Sequence, residues 1–219
     1  MIDDKETDFE QVADFGNLYK AYKKAKTGKG SSKSSQKFQL VALDGIYQLK
    51  RRLETKTYKV APYNTFKVFD PKERVIEAGS FHDKIVQNSL CDNALLSSLK
   101  REFLPNNFAG QIGKGTLYGL NHLRDDMLQA YNKYGMDCWI IKGDIRKFYY
   151  SIDHDILKDS LRYFISDEDI YWLCEQFIDS KDGPGVPLGN RSGQVFCLLM
   201  LSGFDHFATG ELGVEFYGR

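Results

Sequence analysis

The chain is 219 residues long, 42% hydrophobic and 14% aromatic, enough apolar material to bury one large core or two small interleaved ones. Its 30 basic and 30 acidic side chains cancel to a net charge of zero. No run of about 18 apolar residues predicts a membrane span, and the acidic start at Asp3-Asp4-Lys5-Glu6 lacks the basic, apolar pattern of a secretory leader. A soluble, globular, cytosolic protein without membrane attachment is therefore expected.

Apolar spacing of three and four predicts helices over 9–25 and 38–53, on either side of a Gly/Ser/Lys tract, Thr27-Gly28-Lys29-Gly30-Ser31-Ser32-Lys33-Ser34-Ser35, that reads as a mobile loop. Residues 20–59 carry twelve Lys and Arg against two acids, whereas 150–219 carry five against twelve. That asymmetry has two readings: a solvated helical face, or a phosphate-attracting surface opposite an acidic cation site. Two β-rich runs, 63–69 and 74–78, flank Asp70-Pro71-Lys72-Glu73 and predict a hairpin tipped with basic residues. A helix over 81–99 follows, then an irregular Pro105-Asn106-Asn107, then a Gly-rich stretch that opens a helix running to about 134.

Next, Trp139-Ile140-Ile141-Lys142-Gly143-Asp144 reads as a buried strand that delivers Asp144 at its open end, where metal ions and phosphates are commonly handled. Asp153 and Asp167 are placed to cap helices through 164 and 178. A turn over 183–189, an apolar helix over 190–208 and a last strand starting at 214–217 complete the series, with no internal repeat. Cys91, Cys138, Cys174 and Cys197 lack zinc or disulfide spacing and are expected to be reduced core residues.

Several residues have a chemical and a plainer reading. Gly113-Lys114-Gly115-Thr116 lacks the spacing of a phosphate-cradling P-loop and no strand directly precedes it. Asp153-His154-Asp155 mimics the two-carboxylate metal motif of some glycosyltransferases, but a helix N-terminus explains it better. His82, His122 and His206 have no ligand-like spacing and read as surface or hydrogen-bonded residues.

Taken in order, Phe69-Asp70-Pro71-Lys72-Glu73-Arg74-Val75-Ile76, His82-Asp83-Lys84-Ile85-Val86-Gln87, Gly113-Lys114-Gly115-Thr116, the block from Lys142-Gly143-Asp144-Ile145-Arg146-Lys147-Phe148-Tyr149-Tyr150 to Ser151-Ile152-Asp153-His154, and Gly185-Val186-Pro187-Leu188-Gly189-Asn190 with Gln194 resemble the successive blocks of bacterial reverse transcriptases. The resemblance spans roughly 38–219 and is closest to enzymes of group II introns and diversity-generating retroelements. It implies an α+β fold, the fingers and partial palm of a right-hand polymerase, mostly helical with a basic fingers hairpin and a small antiparallel palm sheet. Its segments would be an N-terminal helix and basic loop (1–37), fingers (38–135) and partial palm (136–219, with helices in 154–182). The implied activity is RNA-directed DNA synthesis, with an RNA template, a DNA or RNA primer, deoxynucleoside triphosphates and two Mg²⁺ ions about 4 Å apart as partners and cofactors.

By the same resemblance, Asp144 and the carbonyl of Ile145 are metal ligands, with Asp144 catalytic, and Tyr149 is the aromatic gate beneath the sugar of the incoming nucleotide. Arg74 with Lys67 or Lys72 would meet the triphosphate, a role that suits a guanidinium fork. Pro187, Leu188 and Gly189 would lie against the nucleotide, and Lys114, Asn190 and Gln194 against the template. Two positions depart from the pattern: Leu188 stands where many reverse transcriptases have Gln, and Gly193 where relatives usually have Ser. The family's Tyr-x-Asp-Asp turn, which carries the remaining carboxylates, is not found in these 219 residues, and neither is a thumb. The chain alone is thus expected to have negligible polymerase activity and to be prone to self-association through exposed palm surface. The rival readings are a non-catalytic nucleic-acid-binding or defence module with a polymerase fold, and a metal-dependent sugar transferase.

Overall fold

A computed structural model describes residues 9–27, 32–69, 73–111 and 113–219, with the side chain of Arg74 excepted. Residues 28–31 of the Gly/Ser/Lys tract, residues 70–72 with Lys72, and Ile112 lie outside the described residues. The first predicted helix is two, α1 (Phe9–Ala13) and α2 (Phe15–Lys26). Asp14 divides them: its backbone is extended and its carboxylate accepts the Asn17 N–H at 2.9 Å, so a side chain that competes with helical hydrogen bonds starts a new helix instead. The second also divides, into α3 (Lys33–Leu40), capped by Ser32, and α4 (Ala42–Glu54), with Val41 as the joint.

Strands β1 (Asn64–Phe69) and β2 (Glu73–Ala78) pair antiparallel, in register from Asn64 with Ala78 to Phe69 with Glu73. Helix α5 (Phe81–Leu90) continues through a π-turn over Cys91–Leu95 into α6 (Leu96–Leu99). Helix α7 (Thr116–Tyr134) follows, then the single turn α8 (Phe148–Ser151). Asp153 caps α9 (His154–Phe164) and Asp167 caps α10 (Glu168–Ile178), each accepting two first-turn N–H groups as expected. Helix α11 (Arg191–His206) ends in a π-turn over Phe207–Glu211. No described helix is long and apolar enough to cross a membrane.

A continuous core joins Leu18, Ile46, Leu53, Ile85, Leu90, Leu157, Leu161, Leu173, Phe177 and Phe196, all essentially inaccessible, so the three predicted segments share one interior. Asp167 also accepts the Phe9 N–H at 3.2 Å and Ser89 donates to the Val12 carbonyl at 2.7 Å, which fastens the first helix to both halves of the chain.

Four local expectations fail. Residues 139–144 form no strand: Ile141 is 94% and Trp139 93% exposed, and no described segment offers a backbone ladder to them. β-Branched and aromatic side chains favour a pleated surface but cannot supply the neighbouring strand that makes one. The hairpin is accordingly the whole of the sheet among the described residues, without a palm sheet beside it. The tail at 214–217 is likewise not a strand; it turns back so that Arg219 exchanges backbone hydrogen bonds with Asn106 and Phe108. Cys91, Cys174 and Cys197 are buried, but Cys138 is exposed because it belongs to the unpaired segment. Helix α7 buries none of its residues and leaves Leu120, Leu123, Met127, Leu128 and Tyr131 exposed.

Candidate functional site

Three distant blocks of sequence meet around α8. Lys147 adopts a left-handed backbone (φ 54°), which reverses the chain after the exposed 139–145 segment and sets Phe148 and Tyr149 against the core. The loop that precedes α11 fastens to this turn: Val186 donates to the Tyr149 carbonyl at 2.8 Å, Gly185 to the Ile152 carbonyl at 2.7 Å, and His154 Nε2 lies 2.8 Å from the Gly185 carbonyl. The hairpin closes the third side. Tyr150 donates to the Val75 carbonyl at 3.4 Å, Lys181 forms an ion pair with Glu77 at 2.8 Å, and the Tyr63 hydroxyl joins Ser180 and the Asn190 amide, each at 2.8 Å.

Within this arrangement Tyr149 is half-buried, its ring set edge-on to Phe148 at 6.2 Å between centroids and its hydroxyl facing the Cys197 thiol. Burial, with a smaller contribution from Cys197, pushes its phenol up to about 12, so it stays neutral. Pro187 is buried, Leu188 half-buried and Gly189 exposed with φ 99°, which leaves the loop's outer edge accessible. Asn190 does not cap α11 although it stands at the cap position. The first N–H of the helix goes instead to Gln87 of α5, whose Oε1 accepts from Arg191 at 3.0 Å, and the Asn190 Nδ2 donates to the Tyr63 hydroxyl. Gln194 is exposed on the first turn of α11.

The remaining candidates are dispersed. Asp144 and Ile145 are exposed on the unpaired segment, and the Asp144 carboxylate has no partner among the described residues. It is not sealed in the interior, yet it does not end a strand. No cluster of three or more His, Cys, Asp or Glu side chains able to hold a metal ion occurs among the described residues, so the donors present do not fit a two-Mg²⁺ site. Lys67 is spent in part on an ion pair with Glu73 at 2.7 Å across the hairpin, and Arg74 contributes a described backbone opposite Val68. Lys114 turns inward and donates to the carbonyls of Pro105 and Asn107 at 2.7 and 3.1 Å; desolvation lowers its pKa, and it clips its own loop in place of facing outward. His122 and His206 are hydrogen-bonded, to Asp126 and to the Glu102 carbonyl, as expected of plain residues.

Residue-by-residue reading missed His154, Gly185 and Tyr63. The signal was present only as proximity: two are in blocks already singled out, 31 positions apart, and nothing local says that they touch.

No family model matches the chain. It is 26% identical over 225 residues to the "Putative COX1/OXI3 intron 2 protein" of Saccharomyces cerevisiae, an alignment that takes in 94% of this chain and 25% of that protein. The chain thus spans about a quarter of the relative's length.

Proposed function

We propose that the chain is the fingers and first palm segment of a retroelement RNA-directed DNA polymerase, acting on an RNA template, a primer and deoxynucleoside triphosphates. The observation that carries this reading is the junction of Tyr149, the 185–190 loop and the basic hairpin, three blocks that the resemblance assigns to one nucleotide and that the fold brings into contact. Similarity along nearly the whole chain to an intron protein supports a retroelement origin. In this reading the ring of Tyr149 lies under the sugar, the 187–189 loop borders the base, and the hairpin that carries Lys67 and Arg74 meets the phosphates. Asp144 and the carbonyl of Ile145 would be among the groups that hold Mg²⁺ in such an enzyme, and the described residues alone do not complete that site.

A second reading, a nucleic-acid-binding module without catalysis, is favoured by the isolation of Asp144. Primer extension and nucleotide binding separate them. The purified chain is expected to bind a primed RNA template, to bind a deoxynucleotide better when it complements the templating base, and to incorporate none with Mg²⁺; Asp144→Ala leaves RNA binding unchanged. Template-independent nucleotide binding would support the second reading, and nucleotide-sugar binding without affinity for RNA would remove both. Extension lost in Asp144→Ala would show that the lone carboxylate suffices.

A further inference from the structure

We infer that Gly185 and His154 are positioning residues that hold the 187–189 loop at its distance from the Tyr149 turn, and that this spacing sets the preference for deoxyribose over ribose. The inference rests on the polymerase reading, because the gap matters only if a nucleotide enters it. Gly185 has φ +94°, and a Cβ there would lie 2.6 Å from the Tyr149 carbonyl oxygen and 2.7 Å from Tyr150 Cα. Both neighbours are backbone, so the clash cannot be relieved by turning a side chain. The loop must lift, and with it the bonds from Gly185 to Ile152 and from Val186 to Tyr149. His154 adds a side-chain rivet: its Nε2–H reaches the Gly185 carbonyl, while its Nδ1 is 3.8 Å from the Asp179 carboxylate that Lys158 also holds.

A gate that excludes one hydroxyl works over a distance of about one atom. Displacements of about 1 Å near a reacting centre change rates by up to about a hundredfold, so a lifted loop is expected to blunt discrimination before it abolishes binding. His154→Gln retains an N–H donor for the Gly185 carbonyl, whereas His154→Ala does not.

Two readouts on the 219-residue chain test this. The first is equilibrium dialysis of radiolabelled dTTP and ribothymidine triphosphate, which differ only at the 2′ position, with Mg²⁺ and a primed RNA template presenting A. The second is amide hydrogen exchange at Gly185 and Val186. In Gly185→Ala and His154→Ala the dTTP preference is expected to fall roughly tenfold, His154→Gln is expected to keep it, and the two amides should exchange faster in His154→Ala while those of Leu90 and Leu161 stay protected. Folded variants that keep the wild-type preference overturn the inference and leave the polymerase reading standing. A wild-type chain with no dTTP preference, unaffected by Tyr149→Ala, overturns both. Should Gly185→Ala fail to fold, the two His154 variants decide the matter alone.

Discussion

Asp83→Ala is expected to reduce the free energy of unfolding by about 3–5 kcal/mol, against roughly half of that for Asp83→Asn. The carboxylate is 1% exposed and accepts from the Tyr58 hydroxyl at 2.7 Å, the Ser80 hydroxyl at 2.7 Å and the Ala61 N–H at 3.2 Å. Burial, the carboxylate's charge and the hydrogen bond it accepts together hold the Tyr58 phenol well above its ordinary pKa, so this donor stays protonated through the neutral range. Alanine would leave three donors facing an apolar void, whereas asparagine keeps one acceptor and adds an N–H without a partner. Urea denaturation at a constant m-value measures the difference, and a loss below about 1 kcal/mol for alanine would show that water replaces the carboxylate. The consequence is not only stability. Ala61 leads into β1 and Ser80 follows β2, so Asp83 holds both feet of the hairpin and its removal should loosen the arm that carries Lys67 and Arg74.

What could be read from the chain alone was what is decided within a few residues. The caps at Asp153 and Asp167, the hairpin, and the limits of α7 follow from side chains that bond to their own neighbouring backbone or from a run of apolar spacing. The breaks at Asp14 and Val41 were equally local but hidden, because the apolar rhythm continues across them while the backbone does not. Residues 139–144 failed for the opposite reason. Their composition states a preference for a sheet, and a sheet is a property of two segments.

The site divides along the same line. Tyr149 and the 185–190 loop were recognisable by residue type, whereas the contact between them depends on Gly185 lacking a Cβ and on His154 facing across from another helix. Asn190 shows how tertiary structure reassigns a familiar residue: at a helix cap it would ordinarily bond the first turn, but Gln87 does so from α5 and the amide goes to Tyr63. Lys114 went the other way, from an expected outward contact to an internal clip, because the carbonyls of Pro105 and Asn107 lie within reach of its ammonium.

Binding of primed RNA should depend steeply on salt and on the basic segment 20–59, not on Asp144. Its cations are unequal in this respect. Lys24, Lys50 and Lys56 are held by Asp92, Glu54 and Asp169, while Lys20, Lys23, Lys37, Arg51, Arg52 and Lys59 are exposed and have no carboxylate partner among the described residues. If about six phosphates are neutralised, log K falls against log salt with a slope on the order of −4 to −5, a loss of about 300-fold to 1,000-fold for a fourfold rise in salt. Reversing Lys37, Arg51 and Arg52 together to Glu removes three of those contacts and adds repulsion, so the slope should flatten by about 3 and affinity at low salt should drop at least tenfold. These side chains point into water and contribute little to the core, so the melting temperature should hardly move. Filter binding across a salt series measures both quantities. A triple variant with wild-type slope would place the RNA elsewhere on the molecule, and the charge asymmetry of the chain would then be no more than a solvated helical face.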